Sequence, residues 1–221
     1  MNSFKLLIGN IKSYGLKNIL LITIFEGIYS LNTKFRKHIF YDETHADNYE
    51  KIKKNKNEDL EKSIEYNSPY SPTPIYFLTI IKKEILKISN KLENYCFIDF
   101  GCGAGRSIFF FDKIFKKKIG IDINNNYKFF FKDEEFLNLD LRNLENAKIK
   151  LEKIDSNYFF LYFYEPFDRG LVEQYIKIFA KKKVLIVTIN LKPMNNNDLI
   201  ILFKKEFLNK TRNIIIYSNK I

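Results

Sequence analysis

The sequence predicts an α/β protein with a mostly parallel, doubly wound sheet and an N-terminal helical extension. Short runs rich in Ile, Val, Phe and Tyr ("YCFIDFG", "KIGIDI", "NYFFLYFY", "KKVLIVTI") alternate with helical stretches, as in successive βαβ units. The runs are apolar almost throughout, as strands are when helices cover both faces of a sheet. A glycine-rich turn, "GCGAG", lies between the first run and the helical stretch that follows, where open α/β sheets bind ligands.

Taken in order, Leu16, Ile19, Leu20, Ile24, Ile28 and Leu31 recur at three- and four-residue steps and predict a helix with an apolar face. Leu21, Ile22, Phe25 and Tyr29 widen that face, which favours docking on the core. Residues 1–40 also carry Lys5, Lys12, Lys17, Lys34, Arg36 and Lys37 against Glu26 alone, so a membrane-surface or partner-binding helix is the competing reading. The polar stretch "EKIKKNKNEDLEK" is a surface helix or linker. The boundary falls between a helical accessory region with this linker, residues 1–65, and a main domain, residues 66–221.

In "YSPTPIYFLTIIKKEILKISNKL" Thr73 suits an N-cap and Pro74 the first helical position. Ile75, Leu78, Ile81, Ile85 and Ile88 then line one helix face. Further helices are expected at "SIFFFDKIFKK" and "GLVEQYIKIFA", and the tail "TRNIIIYSNKI" as a final edge strand.

Composition narrows the function classes. With 46% hydrophobic residues, 22 Phe and 14 Tyr in 221 residues, the chain can build a large core, which excludes wholesale disorder. Two Cys (Cys96, Cys102) and two His (His38, His45) cannot furnish a disulfide scaffold or a Cys-rich zinc module. Asp42, His45 and Asp47 make no convincing metal set, so no metal is expected, and His45 is a lid or plain surface residue. The N-terminus lacks the apolar region of a secretory signal, and Ile19 to Ile28 is too short and interrupted to span a bilayer. A reduced, cytoplasmic location is expected, without a transmembrane segment. The net charge of +11 invites nucleic acid or anionic lipid, although the excess of Lys, Asn, Ile and Phe also fits compositional bias.

The glycine loop "FIDFGCGAGRS" discriminates further. A dinucleotide fingerprint would need glycine at Arg106, and a P-loop would need a Gly-Lys-Ser or Gly-Lys-Thr close. Asp99, two residues ahead of Gly101, would repel a pyrophosphate and welcome an ammonium or sulfonium. Asp122 supplies an acidic residue at the end of the next strand, beside the glycine loop.

"IDFGCGAG" followed by "GIDI" resembles motifs I and II of the class I S-adenosylmethionine-dependent methyltransferases. The resemblance runs from about Tyr66 to Ile189 and implies a seven-strand Rossmann-like fold and S-adenosyl-L-methionine as cofactor. It implies that Asp99, Gly101, Cys102, Gly103 and Gly105 wrap the methionine part and that Asp122 holds the ribose. Asp140, in "EEFLNLDLRN", resembles the acid that accepts from the adenine amino group, with Asp155 as the alternative. Cys102 reads as a small loop filler and not a nucleophile. "YSPTP" is similar to an opening found in some protein-lysine methyltransferases of this class, which would lay Tyr70 over the methionine end.

Glu165, Pro166 and Phe167 stand where many amine-methylating members carry Asn or Asp, then Pro, then an aromatic residue. The resemblance makes these three the acceptor site, and a structural strand end is the plainer reading. The expected activity is methyl transfer to an unidentified acceptor, with an amine such as a protein lysine preferred. The alternative is a weakly catalytic cofactor-binding module associated with RNA or a membrane. Arg106, in the first turn of a helix, is disfavoured by the helix dipole and should have an anionic partner. The acceptor and the oligomeric state are left open.

Overall fold

The computed structural model describes residues 3–32, 72–132, 135–165 and 168–219. Two helices, α1 (Ser3–Tyr14) and α2 (Leu16–Ser30), form the N-terminal extension. The main domain runs α3 (Ile75–Ile88), β1 (Cys96–Phe100), α4 (Arg106–Phe110), β2 (Lys117–Asp122), β3 (Phe136–Asn138), α5 (Leu144–Leu151), β4 (Tyr158–Tyr164), α6 (Arg169–Ile178), β5 (Lys183–Ile189), β6 (Leu199–Glu206) and β7 (Asn213–Asn219). The seven strands stand in the order β3-β2-β1-β4-β5-β7-β6. All neighbours from β3 to β5 pair parallel, and β7 is antiparallel to both β5 and β6.

Alternation along the strands separates two cores. Phe97, Phe160, Tyr162, Leu185 and Val187 face a layer formed with Ile75, Phe77, Leu78, Ile81 and Ile85 of α3. Ile98, Phe100, Phe159, Leu161, Phe163 and Ile186 face the other layer, with Ala147 and Leu151 of α5 and Val172, Tyr175 and Ile176 of α6. Both faces are therefore covered, which is why the strands read as unbroken apolar runs. Aromatic rings fill the layers: Phe100 stacks on Phe163 at 4.4 Å and Phe97 on Phe115 at 5.2 Å between centroids. Each such side chain contributes roughly 1.5–3 kcal/mol by leaving water.

The extension docks on the main domain, but with the face opposite to the expected stripe. Ile22, Phe25 and Tyr29 pack on the core beside α3, while Leu16, Leu20, Ile24, Ile28 and Leu31 are exposed. The docked set is held by polar contacts that hydropathy spacing does not reveal. Glu26 accepts from the Ile75 backbone N–H at 2.8 Å and from Arg106 Nη1 at 3.1 and 3.2 Å.

Three further expectations are corrected. Pro74, not Thr73, is the N-cap of α3, because the Thr73 hydroxyl accepts from the buried Tyr162 hydroxyl at 2.8 Å. The stretch "SIFFFDKIFKK" is helical only to Phe110 and continues as turns. The tail strand is not at the edge: β7 inserts between β5 and β6, and β6 is the edge. The expected domain boundary near residue 65 lies outside the described residues.

Candidate functional site

The parallel strands deliver Phe100, Asp122, Asn138, Tyr164 and Ile189 to one rim of the sheet, their carboxyl ends. The hairpin turn before β7 reaches the same rim, because Ile189 is paired with Ile214 and the Asn190 N–H bonds the Asn213 carbonyl at 2.8 Å.

One half of the rim is the glycine loop. Gly101, Gly103 and Gly105 have φ of 80°, 50° and 75°. Gly105 is required twice over: its φ is left-handed, and a Cβ there would lie 2.5 Å from the Phe131 ring. Gly101 and Cys102 donate their N–H groups to the Ile121 carbonyl at 2.8 and 3.0 Å, tying the loop to β2. The Asp122 carboxylate then accepts from the Gly103 N–H and the Asn124 N–H, both at 2.9 Å. Burial holds the Asp122 carboxyl above its ordinary value, with those N–H groups working against the rise.

Asp99 lies beneath the loop, 4% exposed, and accepts from the Ser107 hydroxyl. Its pKa is pushed up to about 7, chiefly by burial and also by the nearby Asp122, against the pull of Ser107. Cys102 is buried and its thiol is raised well above 9.0, first by burial and then by Asp122 and Asp99, which fits a filler and not a nucleophile. Arg106 has its expected anionic partner in Glu26 and also donates to the Thr73 carbonyl at 3.4 Å.

Asp140 follows β3, whose pairing with β2 sets it beside the Asp122 end of the sheet; the Leu139 N–H bonds the Asp122 carbonyl at 3.0 Å. Arg142 grips the Asp140 carboxylate through Nε at 2.8 Å and Nη2 at 2.6 Å and lowers its pKa. Asp155 is at the opposite rim, where its carbonyl accepts from Lys117 at the start of β2 at 2.9 Å. Tyr70 and His45 lie outside the described residues.

The other half of the rim centres on Glu165, whose φ of 44° turns the chain sharply at the end of β4. Its carboxylate is ion-paired with Arg212 and accepts from Asn190 Nδ2 at 2.8 Å. Asn190 Nδ2 also meets the Tyr14 hydroxyl at 3.2 Å, and the Arg212 guanidinium lies 5.6 Å over the Tyr14 ring. Burial raises the Tyr14 pKa, with Arg212 opposing. Asn190 Oδ1 is buried and has no hydrogen-bond partner among the described residues. Pro166 and Phe167 lie outside the described residues, so Glu165 is the described member of that triplet.

Tyr14, Asn190 and Arg212 were not legible as site residues, being 151, 25 and 47 positions from Glu165. The only local signal was Asn190 itself, an Asn closing a strand, a residue type that tolerates its φ of 59°. A groove of about 670 Å³ lined by Ile176, Ala180, Val184, Asn196 and Leu199 opens at the amino end of β5, away from all of these groups. No cluster of metal-ligating side chains occurs among the described residues.

The fold is similar to that of an N-methyltransferase, NodS from Bradyrhizobium japonicum, solved with S-adenosyl-L-homocysteine (TM-score 0.48, 9% identity, 78% of this chain and 98% of that one). It is also similar to an rRNA methylase from Streptococcus thermophilus (TM-score 0.45, 12% identity, 69% and 99%). At these identities and scores no residue role passes from them to this chain. No protein-family model matches the chain, and no curated protein matches it in sequence.

Proposed function

We propose that the chain is an S-adenosyl-L-methionine-dependent methyltransferase that methylates an amine. The observation that carries this reading is the pair of carboxylates, buried Asp99 and half-buried Asp122, on adjacent strand ends around a loop of three positive-φ glycines. The donor set fits the cofactor. A loop without side chains lets a ligand approach the backbone, Asp99 sets negative charge where an ammonium and a sulfonium are welcome, and Asp122 keeps lone pairs for the two ribose hydroxyls. Asp140, at the rim beside Asp122, is the residue that would accept from the adenine amino group.

When bound, the sulfonium supplies an activated methyl group. The protein's part is to place the nucleophile in line with it and to exclude water. Glu165 and Asn190 place acceptor oxygens at the neighbouring strand ends, and Asn190 Oδ1 has no partner among the described residues. A buried acceptor left unbonded costs about 1–3 kcal/mol, which an N–H from the methyl acceptor would relieve. The ion pair with Arg212 and the Asn190 amide fix the Glu165 carboxylate in place, as a positioned acceptor for an amine N–H.

Calorimetry with S-adenosylhomocysteine tests the cofactor half. Micromolar-order affinity is expected, weakened at least about tenfold in Asp122→Ala by loss of charge-assisted hydrogen bonds. A folded sample that shows no binding overturns the proposal. Incubation with methyl-labelled cofactor and cell extract, followed by digestion to amino acids and nucleosides, then reads the acceptor class: label on lysine supports the amine, and label on oxygen or carbon refutes it.

A further inference from the structure

We infer that the outward face of α2 is a docking surface for an anionic membrane, on which the helix lies in the plane of the headgroups. Leu16, Leu20, Ile24, Ile28 and Leu31 recur along one side of α2 and are between 45% and 83% exposed. Leu7 and Ile8 on α1 are exposed as well. The opposite side of α2 is also apolar, and Ile22, Phe25 and Tyr29 already bury it against the main domain. A helix that is apolar all round needs cover on every side, and the sheet body supplies only one.

Charge selects the occupant. The one acid of residues 3–32, Glu26, is turned inward onto Arg106 and the start of α3. The charged side chains that the extension shows to solvent among the described ones are Lys12 and Lys17, and Lys17 sits within the exposed apolar stripe next to Leu16 and Leu20. An exposed apolar stripe with Lys17 within it and Lys12 on the preceding helix, and with the one acid of residues 3–32 engaged inward, suits the boundary of acyl chains and anionic headgroups. A second copy of the chain would set these lysines, and a net charge of +11, against their own kind. No described helix is long and apolar enough to cross a bilayer, which leaves an in-plane seat.

Flotation of the full chain with vesicles tests this, using phosphatidylcholine alone and phosphatidylcholine with added phosphatidylglycerol. Binding is expected only to the anionic vesicles and to weaken with salt. Leu20→Gln/Ile24→Gln should abolish it, and Lys12→Glu/Lys17→Glu should reduce it at least about tenfold, with melting temperature and S-adenosylhomocysteine affinity unchanged in both. Absence of binding to anionic vesicles, or binding that survives the Gln pair, overturns the inference. So does a dimer in light scattering that the Gln pair dissociates, which would make a second copy the occupant. A fall in melting temperature in the Gln pair without loss of vesicle binding would show instead that the chain itself covers the face.

Discussion

The two halves of the carboxyl rim are built in different ways. The glycine-loop half comes from one stretch of chain, Asp99 to Ser107, closed by Asp122 from the adjacent strand, and its geometry is carried mostly by backbone N–H groups. The Glu165 half is assembled from four distant segments, carrying Tyr14, Glu165, Asn190 and Arg212, and its geometry is carried by side chains. A backbone cradle depends on glycine and on strand register, so its chemistry is fixed by a short contiguous motif. A side-chain cluster exists only after the hairpin before β7 and the end of α1 have both packed in place. The N-terminal extension touches both halves, through Glu26 at the first and Tyr14 at the second.

The sharpest way to break this comparison is to cut the extension's link to the glycine-loop half. Arg106 is buried, and removing the carboxylate it is paired with takes away part of the compensation of its charge. Glu26 is itself partly exposed, so Glu26→Leu should cost about 3 kcal/mol, at the low end for such pairs, with loss of the Ile75 N–H contact included. Urea unfolding measures it. The double variant Glu26→Leu/Arg106→Met should recover part of the loss, because the buried charge that Glu26 helps to compensate is then removed as well. If Glu26→Leu is as stable as the parent, the extension is an appendage of the loop half and not part of it.

Next in size is the Glu165 half. Glu165→Ala should lower turnover by about 100-fold while S-adenosylhomocysteine affinity changes little, since the two halves share no described hydrogen bond. Glu165→Gln keeps an acceptor oxygen and loses the charge. Near-normal turnover in the Gln variant would identify positioning as its role, whereas a loss equal to that of Ala would identify the charge. Full activity in Glu165→Ala would leave Glu165 as a strand end only.

The loop half should answer to pH through Asp99. Its folded pKa of about 7 is raised above the ordinary carboxyl value, so its contribution to stability is fully present below about pH 4 and is lost as pH rises through about 7. Ligand-free protein should therefore melt at lower temperature as pH climbs across that window, and Asp99→Asn should flatten the dependence. Cofactor binding has the opposite sign. A cationic ligand favours ionised Asp99, so affinity for S-adenosylhomocysteine, with its ammonium, should rise by up to about tenfold per pH unit below pH 7 and level off above it. An Asp99→Asn variant with the same pH profile as the parent in both measurements would remove Asp99 from the cofactor's charge environment.

What was legible in the sequence follows the same division. Asp99, the glycines and Asp122 are read from spacing, because strand, turn and helix occur there in unbroken order. Apart from the early end of the helix at Phe110, the failures are long-range. Which of the last two strands takes the edge depends on pairing with β5, and "LIILFKKE" shows little local sign of it: apolar at its start and lysine-rich at its end, it has a register irregularity between Ile201 and Phe203. Hydropathy does not tell which face of α2 docks, because both faces are apolar and the deciding contact is Glu26 with Arg106, 80 residues away. Thr73 has the residue type of a cap but does not act as one, because its hydroxyl is taken by Tyr162, 89 residues away.

The smallest expected effect tests whether the extension belongs to the acceptor half or only packs beside it. Tyr14 offers a ring, which meets Phe77 at 5.6 Å and Phe207 at 5.4 Å, and a hydroxyl, which bonds Asn190. Tyr14→Phe keeps the ring and deletes the hydroxyl, so stability should hold within about 1 kcal/mol, the scale of one ordinary hydrogen bond. Asn190 Nδ2 would still donate to Glu165, yet with one restraint fewer on the amide and on the Glu165 carboxylate it orients. Turnover should fall a few-fold, up to about tenfold, with S-adenosylhomocysteine affinity unchanged, because Tyr14 has no described contact with the glycine loop. Tyr14→Ala should add a stability loss of about 3 kcal/mol from the vacated ring. A Phe variant with parental turnover, beside a destabilised Ala variant, would make Tyr14 a packing residue and confine the acceptor half to Glu165, Asn190 and Arg212.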